Sequence, residues 1–205
     1  MKSFYLSANL YNKIYAYMTY ENVLALRTSL ETGMRIDDVL CLKFANLIGR
    51  KICYTAKKTN KKDTKVISQS LMNQLRKQLV SNDIDEYVFK HRTKQGEHRT
   101  RQAVWKNIKQ AVKLAGIEGN VTPHSARKTY AVDKFHNDGL NATQKALQHD
   151  NASTTMIYAF ADILSATGQN KSNNTDYEVF ADLVADKVIE KLIKRFNLPN
   201  ECSDD

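Results

Sequence analysis

Residues 46–68 are the stretch that most narrows the fold, because they read as sheet inside a chain of otherwise helical periodicity. Leu47-Ile48 and Ile52-Cys53-Tyr54-Thr55 flank Gly49-Arg50, a hairpin turn. A second turn, Lys57-Lys58-Thr59-Asn60-Lys61-Lys62-Asp63, leads into Thr64-Lys65-Val66-Ile67. The pattern predicts a small three-stranded antiparallel sheet with a basic loop. The fold class is therefore mainly α with that one small sheet.

The helices follow from spacing and punctuation. Thr19 is an N-cap, and Val23, Leu26 and Leu30 share one helical face. Gly33 stops that helix, since glycine tolerates the left-handed conformation. Ile36, Val39 and Leu40 form the apolar edge of a second, short helix, which leaves Arg35 at the junction. Ser68 or Ser70 caps a helix to about Val80, and 81–98 is loop anchored by Tyr87-Val88-Phe89. Thr100 starts a helix to about Ala115. Thr122-Pro123 opens another to about Phe135, on which His124 and Arg127, three apart, share a face. Gly139 ends that region, and a short helix spans about 142–148.

His149 and Tyr158 are nine residues apart. At roughly 100° per residue one continuous helix would set them on opposite sides. Asp150, Asn151 and Ser153 supply a break and a fresh cap, so two short helices can turn both side chains to one pocket. The expected domains are a partly ordered leading segment 1–18, a catalytic domain 19–164 and a polar linker 165–176. An amphipathic helix, 177–196, follows, with Val179, Phe180, Leu183, Val184, Val188, Leu192 and Phe196 on its apolar side, then an acidic tail, 197–205.

Charge points to a polyanionic partner. The chain carries 31 Lys+Arg against 22 Asp+Glu, and 15 of those basic residues fall in windows 43–65 and 90–109. Such clustering suits nucleic acid or an acidic membrane surface better than an evenly solvated face. Lys43, Lys57, Lys61, Lys62, Arg92, Lys94, Arg99 and Arg101 are the candidate contacts to that polyanion, and to DNA if the partner is nucleic acid. No run approaches the roughly 20 apolar residues of a membrane span. Cys41, Cys53 and Cys202 have no metal or redox spacing, which suits free thiols in a reducing compartment. His91 and His98 lack cysteine or carboxylate partners at zinc spacing, so no metal is expected.

Attack on a phosphodiester requires charge stabilisation on the phosphate oxygens, an aligned nucleophile and a proton for the leaving oxygen. Arg35 and Arg127 suit the first task, because the guanidinium fork binds phosphate bidentately. His124 and His149 can share protons near neutral pH. A hairpin lysine such as Lys58 can protonate the departing alkoxide if neighbouring cations lower its pKa. Tyr158 can be the covalent nucleophile. Each residue also has an ordinary structural role. Arg35 could pair with Asp37 or Asp38, Lys58 could be a solvated lysine, and His124 could bond its own backbone. Their joint occurrence in this order favours the chemical reading.

That order resembles a known family. Glu31-Thr-Gly-Met-Arg-Ile-Asp-Asp-Val-Leu-Cys-Leu-Lys43 is similar to the first arginine box of the tyrosine recombinases, the phage integrase family. His124-Ser-Ala-Arg127 resembles their His-x-x-Arg box, and Leu147-Gln-His149 through Tyr158 resembles the closing box. The resemblance spans about 19–160. It implies the tyrosine recombinase catalytic-domain fold, with Tyr158 as nucleophile, Arg35 and Arg127 on the scissile phosphate, and His124 and His149 assisting. Lys58 takes the general-acid place, with Lys57 adjacent as the alternative, and Asp38 supports the pocket. The family needs no metal or nucleotide cofactor.

The implied function is site-specific cleavage and rejoining of double-stranded DNA through a 3′-phosphotyrosine, for integration or excision of a mobile element. The setting would be cytoplasmic and nucleoid-associated, in a bacterial or phage context. A homo-tetramer on DNA is expected, with the C-terminal helix docking on a neighbouring subunit or on its own domain. A topoisomerase-like strand passer and a non-catalytic DNA-binding regulator are the rival readings. Gln148 stands where the family commonly has glycine. Only about 18 residues precede the catalytic domain, where members usually carry a helical clamp domain. The chain is expected to be either a piece of a longer protein or a minimal version.

Overall fold

Gly49 takes a left-handed φ of 59°, and the chain reverses around it to pair β1 (Leu47–Ile48) with β2 (Lys51–Thr55). A second reversal, with Asn60 at φ 52°, brings back β3 (Lys62–Val66). Asparagine is among the few residues that visit this region readily. The sheet has the order β1-β2-β3, antiparallel throughout, as the sequence predicts. This computed structural model describes residues 6–81 and 83–147. His149, Tyr158, the expected linker, the C-terminal helix and the tail lie outside the described residues.

Among the described residues there are six α-helices: α1 (Ala8–Tyr15), α2 (Tyr20–Thr32), α3 (Ile36–Leu40), α4 (Gln69–Arg76), α5 (Arg101–Leu114) and α6 (Pro123–Leu147). Local chemistry starts several of them. Ser68 Oγ accepts from Leu71 N at 3.2 Å, and Thr100 Oγ1 accepts from Ala103 N at 3.2 Å, each satisfying a free first-turn donor. Thr19 precedes α2 but does not cap it with its side chain. Its backbone N donates to Asn107 Oδ1 at 3.0 Å, tying the start of α2 to α5. Gly33 closes α2 in the left-handed conformation, φ 69°. α6 is helical on both sides of a break at Gly139, where φ is 79°.

The core gathers Leu24 and Leu26 of α2, Leu71 and Leu75 of α4, Val104 and Ile108 of α5, Ile52 of β2 and Phe89 of the long loop. One expectation needs correction, the end of α4. In the described part of the leading segment α1 forms, and Leu6, Tyr11 and Ile14 are fully buried in the same core. Tyr11 and Ile14 are three apart and share a face, and the Tyr11 hydroxyl lies 3.4 Å from Thr129 Oγ1 of α6. Helix α4 ends at Arg76, not near Val80, because Val80 has nothing to bury against and is 90% exposed.

β3 inverts the usual pattern of apolar residues inward and polar residues outward. Lys65 lies opposite Ile52, which is fully buried, while Val66 on the other face is 61% exposed. Among the described residues no helix is long and apolar enough to cross a membrane.

Candidate active site

The junction between α2 and α3 is locked before any ligand arrives. Ser29 Oγ donates to Met34 O at 2.8 Å, and Met34 N donates to Thr32 Oγ1 at 3.1 Å. Met34 is fully buried. Arg35 follows as the N-cap of α3 with an extended backbone, φ −66° and ψ 142°. It lines a cleft of about 500 Å³.

Across that cleft stands the start of α6, where Thr122-Pro123 sets the helix and His124 and Arg127 follow at a spacing of three. Arg35, His124 and Arg127 therefore line one cavity, although 92 residues separate the first from the last. Arg127 is 4% exposed. Its Nη1 donates to Gly33 O at 2.6 Å and its Nη2 to Leu147 O at 2.7 Å. Gly33 is the C-cap of α2, where carbonyls lack helical partners and carry partial negative charge, and Leu147 is the last described residue of α6. Arg127 thus braces the cleft while facing it.

His124 has its pKa pushed down to about 4, by loss of water around the ring and by the charges of Arg127, Lys128 and Arg35. The residue remains accessible from the cleft, so the cations are the part of this shift that an incoming anion would reverse. At neutral pH the imidazole is uncharged and able to accept a proton.

Asp38 is buried at 5% exposure, and its Oδ1 accepts from Lys57 N at 2.9 Å. The acid thus holds the base of the β2–β3 turn. Lys57 and Lys58 are both exposed, and neither lines the cleft. The Cys41 thiol, and after it Asp37 and Asp38, raise the Lys57 pKa against a smaller opposing effect of burial.

Sequence reasoning missed Trp105, Gln102 and Thr122, which also line the cleft, and placed Arg101 only among DNA contacts. Trp105 is 45% exposed, next to Val104 and three before Ile108, both fully buried. A tryptophan at the edge of its helix's apolar stripe was the available signal. Arg101 pairs with Asp37 at 3.4 Å on the rim. Among the other candidate contacts, Lys61, Lys62 and Arg92 are exposed. Lys94 pairs with Glu97 at 3.5 Å, and Lys43 lies 5.7 Å from the Tyr87 ring centre. Arg99 differs: its side chain is only 15% exposed and pairs with Glu21 at 3.7 Å, so it serves the loop more than the surface.

The sequence model of the phage integrase family matches residues 5–163. This chain belongs to the phage integrase family. The family match takes in α1, so the leading helix is part of the family domain. The chain is similar to tyrosine recombinase XerD of Lacticaseibacillus casei, 30% identical over 136 residues, covering 62% of this chain and 46% of the relative. It spans about half the length of the curated relatives it matches. In fold it resembles the catalytic domain of bacteriophage HP1 integrase, with a TM-score of 0.60 and 23% identity over 82% of this chain and 96% of that one. It also resembles a lambda integrase dimer bound to a COC′ core site, with a TM-score of 0.65 and 18% identity over 85% and 51% of the two chains. A mainly helical fold with one small antiparallel sheet is thus the phage integrase catalytic-domain fold.

Proposed function

We propose that this chain is the catalytic domain of a tyrosine-type site-specific DNA recombinase that works through a covalent 3′-phosphotyrosine at Tyr158. The observation that carries the reading is the convergence of Arg35, His124 and Arg127 on one cleft. Two guanidinium groups there suit the non-bridging oxygens of a phosphodiester, whose charge grows as the bond exchanges. Neutral His124, with His149, accepts or shares the phenol proton. The Tyr158 oxygen bonds to phosphorus, the bond to the 5′ oxygen breaks, and Lys58 protonates that oxygen. Reversal by the 5′ hydroxyl of a partner strand rejoins the DNA without an external energy source.

Family membership supports integration or excision of a mobile element in a bacterial cytoplasm, with double-stranded DNA held by Lys43, Lys57, Lys61, Lys62, Arg92, Lys94 and Arg101. Assembly on DNA as a homo-tetramer through the C-terminal helix belongs to the same proposal. The test is site dependence. The protein, with duplexes carrying its own genomic flanks, gives a detergent-resistant protein–DNA adduct and exchanged strands. Scrambled duplexes of equal length give neither. Adducts of equal yield on scrambled DNA would instead indicate a topoisomerase-like strand passer.

A further inference from the structure

We propose that Lys65 is a positioning residue for strand cleavage, fastening the end of α6 to β3. The hairpin that carries Lys58 and the last described turn of α6, from which the sequence runs on to His149 and Tyr158, are thereby tied together. The proposal rests on the functional reading above.

Lys65 sits where a lysine is least expected. It pairs with Ile52 on the core-facing side of the sheet, and its side chain is 11% exposed. Lysine is almost never buried unless its charge is matched. Here Asp63 Oδ2 lies 2.8 Å from Nζ, and Nζ donates to the carbonyl of Ala146 at 2.5 Å. The Tyr54 hydroxyl donates to the same Asp63 oxygen at 3.3 Å, which fixes the carboxylate. The ammonium thus neutralises a carboxylate of its own strand and holds a backbone carbonyl of α6 at once.

The neighbouring carbonyl, Leu147 O, is held by Arg127. Consecutive carbonyls at the end of α6 are therefore gripped by two cations from different elements. Lys65 comes from the sheet and Arg127 from the first half of α6. Tyr158 follows Leu147 by eleven residues. A buried ion pair is a poor source of stability, since an apolar residue of similar size often does as well. What it supplies is a fixed register. Lys58 lies in the turn between β2 and β3, so the strand holding the end of α6 also leaves the turn bearing the acid.

The experiment uses the full chain with nicked duplexes from its genomic flanks. The scissile 5′ oxygen is left as oxygen or replaced by sulfur, a leaving group that departs without a proton. The variants are Lys65→Met, Lys65→Arg and Lys58→Ala. Misplacing a reacting group by about 1 Å costs on the order of 100-fold. Lys65→Met is therefore expected to form the adduct about 10- to 100-fold more slowly at unchanged DNA affinity, on both oxygen and sulfur substrates. Lys65→Arg recovers most of the rate, and sulfur restores Lys58→Ala only. Wild-type rates in Lys65→Met, or a defect that sulfur removes, would overturn the positioning role. Hydrogen exchange reads the anchor without chemistry: amides near residues 143–147 exchange about 10-fold faster in Lys65→Met, and unchanged exchange overturns the anchor. A wild-type protein that forms no adduct with either substrate would sink the recombinase reading, leaving the anchor to be judged by exchange.

Discussion

Arg127 Nη1 donates to the carbonyl of Gly33 at 2.6 Å, joining residues 94 apart in the chain. That bond fixes the α2 stop, which aims Arg35, against the helix that carries His124. One arginine thereby braces both the α2 stop and the last described turn of α6.

Gly33→Ala tests the bracing. Gly33 has φ 69°, and an added Cβ would lie 2.4 Å from Tyr130 Cδ1 and 3.1 Å from Leu147 Cδ2. A left-handed alanine costs roughly 1–2 kcal/mol and overpacking roughly 1–3 kcal/mol. We expect a loss of about 2–5 kcal/mol in a denaturant titration, with adduct formation falling further than DNA binding. A stability within about 0.5 kcal/mol of wild type, the range of ordinary surface changes, would contradict the packing described.

Asp38→Ala tests the turn. Asp38 Oδ1 accepts the Lys57 amide, while Oδ2 is buried with no hydrogen-bond partner among the described residues. Removing the acceptor frees the lysine turn and leaves a donor unpaired, at about 1–3 kcal/mol. Faster hydrogen exchange at Lys57–Asn60 and at least about tenfold slower cleavage are expected, since a loosely held group loses its alignment. Unaltered exchange there would show that Asp38 does not hold the turn.

His124 gives a pH signature. Its folded pKa, about 4, lies below the ordinary histidine value. The unfolded chain therefore binds more protons between about pH 4 and 6.5, and folding stability rises with pH across that window. The contribution is fully present above about pH 6.5 and is lost as pH falls. His124→Asn should flatten the acid limb of a urea-midpoint profile. Inorganic phosphate should raise the His124 pKa in an NMR titration, because an anion offsets Arg35 and Arg127. A His124 pKa at or above the ordinary value without phosphate would contradict the crowded cationic setting.

How much of this was legible depended on the range of the interactions. The Gly49 hairpin, the Thr100 cap and the Gly33 stop are set by neighbours in sequence, and residue type alone reveals them, while for α4 it leaves Ser68 and Ser70 as alternative caps. α1 was not legible, because its tyrosine-rich sequence becomes a core helix only through contacts such as Tyr11 with Thr129. Lys65 reads as another basic surface residue until the sheet register turns it inward. Trp105 and Arg101 joined the cleft because α5 packs beside α3 and the start of α6. Arg35, His124 and Arg127 were legible as a set from motif spacing. Their shared cavity depends on the fold.

Salt dependence tests the proposed DNA footprint. Lys61 and Lys62 are exposed beside the hairpin turn. Each phosphate that the protein no longer neutralises should lower the slope of log affinity against log salt by about 0.9. Lys61→Ala with Lys62→Ala should lower it by about 1–2, with a near-uniform weakening across sequences. An unchanged slope would remove these lysines from the footprint.

The central claim is covalent attachment through Tyr158, and peptide mapping of the trapped adduct reads it most directly. Nicked duplex labelled at the 5′ end of the cleaved strand is incubated with the protein, digested, and the DNA-bearing peptide sequenced by mass spectrometry. The account predicts that the label stays with protein through a 3′ phosphate on Tyr158, and that Tyr158→Phe yields no adduct while binding DNA normally. Attachment at another residue, a 5′-linked adduct, or an undiminished adduct in Tyr158→Phe would contradict it.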